Sequence, residues 1–293
     1  MPMLASGSCV GRFELVRRVA SGLMSEVYEG REAGSGRPVA VKVLRDAFCL
    51  DADTIARFLN EARMLERVRD PHIVGLVDCG RLPGGPPFMA LEWLPASLHD
   101  VLASAGSGLS LHSAARVASQ IAHGLLSLHE RGIVHRDLKP ANVLLDQRDP
   151  AVARAKLADL GLAKMPRSSA SEAARRGTVA ATLLPVSTGG AALLGTWEYM
   201  APEQWLKSKD VEPKADVYAL GVLLFQMLTG QLPFVAEDKG ALMCLHLFER
   251  PPLHLLDHLA SQELRDLITR MLSKRPWLRP DMREVLDPLA RFL

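Results

Sequence analysis

An α+β fold in two lobes, a small antiparallel sheet carrying one main helix and then a larger, mainly helical part, is what this sequence predicts. Between Phe13 and Val43 three short runs, FELVRRVA, SEVYEGRE and RPVAVKVL, alternate apolar and polar residues in the period of two that marks strands. TIARFLNEARMLERV then places Ile55, Phe58, Leu59, Ala62, Leu65 and Val68 at helical spacing. Beyond Pro95 the pattern changes to long helical stretches such as HSAARVASQIAHGLLSLHERG.

Taken in order, the first three runs are separated by Ser-Gly and Gly-Ser-Gly turns, which suggests an antiparallel meander. In VAVK, Val39, Val41 and Val43 share one face of their strand while Ala40 and Lys42 share the other, so Lys42 points away from the packed side into a cleft. Asp53 or Thr54 can cap the following helix. HIVGLVDCGRL and PFMALEWL read as two more strands around the turn PGGPP, and the hinge falls at Glu92 to Pro95. The organisation is therefore an N-terminal extension over residues 1–12, a small lobe over 13–94 and a large lobe over 95–293. Residues 165–194, MPRSSASEAARRGTVAATLLPVSTGGAALL, lack periodicity and read as a long mobile loop.

Composition bounds the function classes without naming one. At 293 residues the chain can bury about three quarters of its unfolded surface. With 35 Lys+Arg against 33 Asp+Glu the formal charge is +2, which gives no general attraction to nucleic acid or anionic lipid. The longest apolar stretch, ALGVLLFQML, is too short to span a bilayer, and the N-terminus has no signal-peptide pattern, so the expected location is cytoplasmic. Cys9, Cys49, Cys79 and Cys244 lack metal-site spacing and are expected to be reduced, mostly buried thiols.

Chemistry concentrates in VHRDLKPANVLL, residues 134–145, where a carboxylate, a lysine and an amide sit at fixed offsets between apolar flanks. This segment resembles the catalytic loop of protein kinases. The resemblance implies that Asp137 accepts the proton of an attacking hydroxyl, Lys139 neutralises the moving phosphoryl group and Asn142 holds a metal ion, roles that fit a carboxylate, an ammonium and an amide. ADLGLA, residues 158–163, resembles the metal-binding D-F-G element with Leu160 in place of Phe, and GTWEYMAPEQ, residues 195–204, resembles the end of an activation segment running from 159 to 203. The ordered series Lys42, Glu61, Asp137, Asn142, Asp159, Glu203, Asp216 and Arg279 extends the resemblance over roughly residues 13 to 290. The lysine of HRDLKPAN and the compact length resemble bacterial Ser/Thr protein kinases.

The resemblance implies roles. Lys42 would bind the ATP α and β phosphates and pair with Glu61. Asn142 and Asp159 would hold Mg²⁺ or Mn²⁺, Gly161 would turn the chain beside Asp159, and Thr196 would hydrogen-bond near Asp137 and Lys139. Val27 and Ala40 would roof the adenine with Leu144 as floor, Leu91 would stand as gatekeeper, and Glu92 and Leu94 would line the hinge. Leu65, Leu76, His135 and Leu160 would stack internally. Asp216 would brace the catalytic loop, and Arg279 would pair with Glu203 as a largely buried structural bridge.

RVASGLMSEVY, residues 18–28, is the departure from pattern. Where such a phosphate-covering loop carries G-x-G-x-x-G, this chain has Ala20, Gly22 and Ser25. If either substitute needed φ > 0, the strain would be roughly 1 kcal/mol, a weakening and not a loss. The resemblance thus implies transfer of the ATP γ-phosphoryl group to Ser or Thr of protein substrates. A nucleotide-binding pseudokinase scaffold is the alternative, and a small-molecule kinase is a third reading. Arg136 would bind a phosphate on the activation segment, with autophosphorylation by transient self-association expected among Ser168, Ser169, Ser171, Thr178, Thr182, Ser187 and Thr188. Thr188, Ser187 and Thr182 are preferred for their nearness to Gly195.

Overall fold

The computed structural model describes residues 6–160, 197–206 and 212–293. The expected mobile loop at 165–194, Gly161, Thr196 and all the nominated phosphoacceptors lie outside the described residues.

The predicted meander forms as β2 (Phe13–Ser21), β3 (Ser25–Glu32) and β4 (Pro38–Leu44). With β1 (Cys9–Val10), β5 (Leu76–Arg81) and β6 (Pro87–Glu92) it makes a six-stranded antiparallel sheet in the order β1-β2-β3-β4-β6-β5. The sheet thus begins four residues before Phe13, because Val10 pairs with Phe13 and is fully buried. The alternation along β4 is realised: Val39, Val41 and Val43 pack with Phe13, Leu15, Tyr28 and Phe88 on the outer face. Phe13 and Phe88 meet edge-to-face at 6.5 Å there.

Helix α1 (Ala52–Arg67) lies across the opposite face and buries Phe58, Glu61, Ala62, Met64 and Leu65. Its cap is Asp51 and not Asp53 or Thr54: the Asp51 carboxylate accepts from Asp53 N at 3.2 Å and also takes the Thr54 hydroxyl. The helix therefore starts at Ala52, two or three residues earlier than the expected caps imply.

Past the hinge come α2 (Leu98–Ala105), α3 (Leu111–His129), α4 (Pro202–Leu206), α5 (Lys214–Thr229), α6 (Lys239–Phe248), α7 (Gln262–Met271) and α8 (Met282–Leu289). A three-stranded sheet of β7 (Ala96–Ser97), β8 (Val143–Leu145) and β9 (Ala155–Leu157) lies against them. The run ALGVLLFQML belongs to α5, which is buried from Ala215 to Leu228 except at Gln226, as its all-round apolar character requires. Among the described residues no helix is long and apolar enough to cross a membrane.

One cysteine expectation fails. Cys9, Cys79 and Cys244 are exposed and Cys49 is half-buried, all four being free thiols. Cys9 and Cys79 sit on the two edge strands of the large sheet, and Cys244 falls between the buried positions Leu242 and His246 of α6. Small size and apolarity do not by themselves bury a side chain whose backbone lies on an edge or an outward helix face.

Candidate active site

The β8–β9 pairing builds the centre of the site. Val143 faces Leu157 in register, so Asn142 and Ala158 flank the ladder from opposite strands, and Ala158 N donates to Asn142 O at 2.9 Å. Asp159 consequently leaves β9 beside the catalytic loop. It adopts φ +61°, and Arg136 adopts φ +70°, two non-glycine residues in the left-handed region, where strain concentrates at functional sites.

Asp137 is held by both of its nominated neighbours. Lys139 Nζ lies 2.8 Å from Asp137 Oδ2, and Asn142 Nδ2 donates to Asp137 O at 2.7 Å and to Oδ2 at 3.1 Å. With its nitrogen so engaged, the Asn142 amide has its oxygen to offer a hard cation. The loop rests on Asp216 at the start of α5, whose carboxylate accepts from His135 N and Arg136 N at 2.9 Å each and lies 2.8 Å from His129 Nε2. Burial would raise the Asp216 carboxyl, but the hydrogen bond and charge of His129 outweigh it and hold the acid below its ordinary range.

From the small lobe, Lys42 Nζ reaches Glu61 at 2.8 and 2.9 Å and Asp159 Oδ1 at 3.2 Å. Burial alone would lower the Lys42 pKa, but the charges of Asp159 and Glu61 raise it above the ordinary lysine value. The Lys42 ammonium in turn holds Asp159 below the ordinary aspartate value. The expected pairing of Lys42 with Glu61 is present, and Lys42 bridges the two lobes.

The cleft face of the sheet follows from register. Val27 pairs with Lys42 and Ala40 with Leu91, so all four share one side. Ala40, Leu94 and Leu144 are partly buried against one core that includes Leu91. Leu65, Leu76 and Leu160 belong to that core, and His135 is fully buried with its Nε2 3.2 Å from Ala158 O. The Glu92 side chain is turned away from Ala40 toward Lys156 Nζ at 2.5 Å and Gly75 N at 3.1 Å, so a contact between Glu92 and a base would come from its backbone. A separate cavity of about 500 Å³ lies behind α1, between Leu65, Arg69, Leu76 and Lys156, and holds none of the nominated cleft residues.

The β2–β3 hairpin forms although Ala20 and Ser25 stand where the resemblance expects glycine. Ala20 pairs with Val27 and Ser25 with Leu44, and neither has positive φ, so the conditional strain at these two places does not arise. At Gly22 an added Cβ would meet Ser25 O at 3.3 Å, a tight approach that favours glycine at this place. Arg45, which no local pattern marks, ties the loop down: its Nη2 donates to Ser21 Oγ at 2.5 Å and lies 3.8 Å from Glu26, while its N–H donates to Met24 O at 2.9 Å.

Of the remaining structural pairs, Arg279 meets Glu203 in a two-pronged bridge at 2.6 and 2.8 Å. Arg279 is fully enclosed, whereas Glu203 keeps 23% of its side chain exposed, less buried than expected. Also unanticipated were Lys156, His129 and Gln204, whose Nε2 donates to Arg136 O at 3.0 Å. These contacts span 64 to 87 positions, and no local sequence pattern announces them.

A protein kinase domain model matches residues 13–288. The chain belongs to the protein kinase domain family. This kinase domain is 36% identical over 267 residues to serine/threonine-protein kinase Pkn1 of Myxococcus xanthus, covering 91% of this chain and 36% of that protein. It is 35% identical over 295 residues to pkn2 of the same organism, covering 98% and 33%. Against PknA of Mycobacterium tuberculosis the identity is 34% over 274 residues, covering 92% and 58%. The chain thus spans between a third and three fifths of the length of these curated relatives.

Proposed function

We propose that this chain is a Ser/Thr protein kinase that transfers the ATP γ-phosphoryl group to serine or threonine hydroxyls of protein substrates. The observation that carries this reading is the convergence of Lys42, Glu61 and Asp159 from the two lobes, 2.8 to 3.2 Å apart, beside the Asp137–Lys139–Asn142 cluster. Asp137 accepts the hydroxyl proton, Lys139 neutralises charge on the moving phosphoryl group, and Lys42 receives the α and β phosphates. Val27, Ala40, Leu91, Leu94 and Leu144 enclose the adenine, with the backbone of Glu92 at the hinge and Ala20 and Gly22 in the roof over the phosphates.

Asn142 and Asp159 fit a divalent cation, Mg²⁺ or Mn²⁺. Two hard oxygen donors that flank the paired strands β8 and β9 suit an ion that draws its other ligands from phosphates and water. When bound, the cation supplies charge neutralisation of the β and γ phosphates. A pseudokinase scaffold would keep the fold without some of these groups; here Lys42, Asp137, Asn142 and Asp159 are all present.

Autophosphorylation of the activation segment, with Thr188, Ser187 and Thr182 preferred, and capture of the new phosphate by Arg136 form the regulatory part of this proposal, with a cytoplasmic location. Incubation with γ-labelled Mg-ATP and a generic Ser/Thr-bearing protein tests the whole: label on protein supports it, label on a small metabolite alone points to another kinase class, and no label with retained ATP binding supports the scaffold.

A further inference from the structure

Residues 197–205, at the end of the expected activation segment, are fixed from beneath by hydrogen bonds. Gln204, on α4, reaches Arg136 O, one residue from Asp137, and its Oε1 accepts from Ala201 N at 2.9 Å. Tyr199 OH donates to Gln226 on α5 at 2.6 Å, and Trp205 Nε1 donates to Met200 O at 3.3 Å. The Trp197 side chain makes none of these bonds. Its ring contacts among the described residues are Trp205, edge-on at 6.2 Å, and Lys239, whose ammonium lies 3.7 Å from the ring centre.

Lys239 opens α6, where a positive charge opposes the helix dipole, and among the described residues it makes no ion pair or hydrogen bond. The neighbouring Asp238 carboxylate is occupied as the helix cap, accepting from Ala241 N at 2.9 Å. Seven residues on, and so on the same helix face, His246 is fully buried, 6.1 Å from the Trp205 ring, with Tyr218 OH 2.9 Å from its Nδ1. One face of α6 therefore grips both indoles, at its root through His246 and at its exposed end through Lys239.

We propose that Lys239 is a positioning residue for the protein substrate: by seating on the Trp197 indole it holds residues 197–201, beside the catalytic loop, in the shape that receives the acceptor chain. This rests on the protein-kinase reading above. A cation over an indole gains its energy from the ring quadrupole, so charge matters and side-chain bulk does not.

The test uses the 293-residue chain with Lys239→Met, which keeps length and removes charge, and Lys239→Arg, which keeps charge. Myelin basic protein serves as acceptor. Lys239→Met should raise its KM by roughly three- to tenfold while the KM for ATP stays within about twofold, and Lys239→Arg should restore it. In a Trp197→Leu background, Lys239→Met should have no further effect. Anisotropy of fluorescein-labelled myelin basic protein measures acceptor binding without turnover and should show the same loss. Unchanged acceptor KM and binding in Lys239→Met would overturn the proposal, even with altered indole fluorescence, because packing alone would then explain the contact. If the wild type transfers no phosphate, the activity reading fails separately, and the anisotropy comparison still decides the role of Lys239.

Discussion

Lys42 and Asp159, separated by 117 positions, meet at 3.2 Å across the cleft, with Glu61 closing the same ammonium from the other side. The lobes are thus joined through a charge that ATP phosphates would also need. Lys42→Met should remove phosphate transfer by at least about a hundredfold. It should also lower stability, on the order of 3–5 kcal/mol, because Glu61 is left buried without its partner. Glu61→Gln, which removes the stranded charge, should destabilise less. Urea unfolding of both variants beside a transfer assay checks the pair.

The Arg45–Ser21 contact predicts an effect confined to nucleotide. Arg45→Met removes a charged donor from the root of the phosphate-covering hairpin and should raise the KM for ATP about two- to tenfold, leaving the KM for a protein acceptor unchanged. Steady-state kinetics with each substrate varied in turn would detect it. An unchanged ATP KM would mean that the hairpin pairing of β2 and β3 suffices.

Removing Glu203 should be costly far from the chemistry. Glu203→Ala leaves the enclosed Arg279 guanidinium, among the described residues, with the carbonyls of Lys214, Ser273 and Lys274 and the Tyr218 ring but no carboxylate, and should destabilise the fold by about 3–5 kcal/mol in urea titration. A loss under about 1 kcal/mol would show that the exposed part of Glu203 already shares the charge with water.

His246 predicts a pH dependence of stability. Burial first, and the Lys274 charge second, push its pKa down to about 3 from the ordinary 6.5. The folded protein therefore keeps this ring neutral where the unfolded chain takes up a proton. Its contribution is complete above about pH 6.5 and is lost as the pH falls toward 3, at about 1.4 kcal/mol per pH unit. His246→Phe should lack that component, so the difference in unfolding free energy between wild type and variant should shrink as pH falls from 7 to 4. A constant difference would contradict the assignment.

Much of this was legible in the sequence where a period or a motif encoded it. The alternation Val39-Ala40-Val41-Lys42-Val43 tells which face Lys42 occupies; HRDLKPAN nominates Asp137, Lys139 and Asn142, but the bonds by which Lys139 and Asn142 hold Asp137 are visible only in the fold. The short β1 was missed because two residues cannot display a period. Asp51, Asp53 and Thr54 can all cap a helix, and only the backbone decides that the oxygen meeting an N–H is that of Asp51 and not of Asp53 or Thr54. Cysteine exposure was misjudged because edge strands are recognised by their neighbours and not by their own residues. The Lys156–Glu92, Gln204–Arg136 and Arg45–Ser21 contacts depend on tertiary approach, and their sequence separations of 64, 68 and 24 carry no local signal.

The most direct test of the account is phosphate transfer from γ-labelled ATP by the Asp137→Asn variant, beside wild type, with nucleotide binding measured on both. A fall in transfer of at least about a hundredfold with ATP affinity preserved is the expected result. Equal transfer by the variant would contradict the role given to Asp137 and the mechanism built around it.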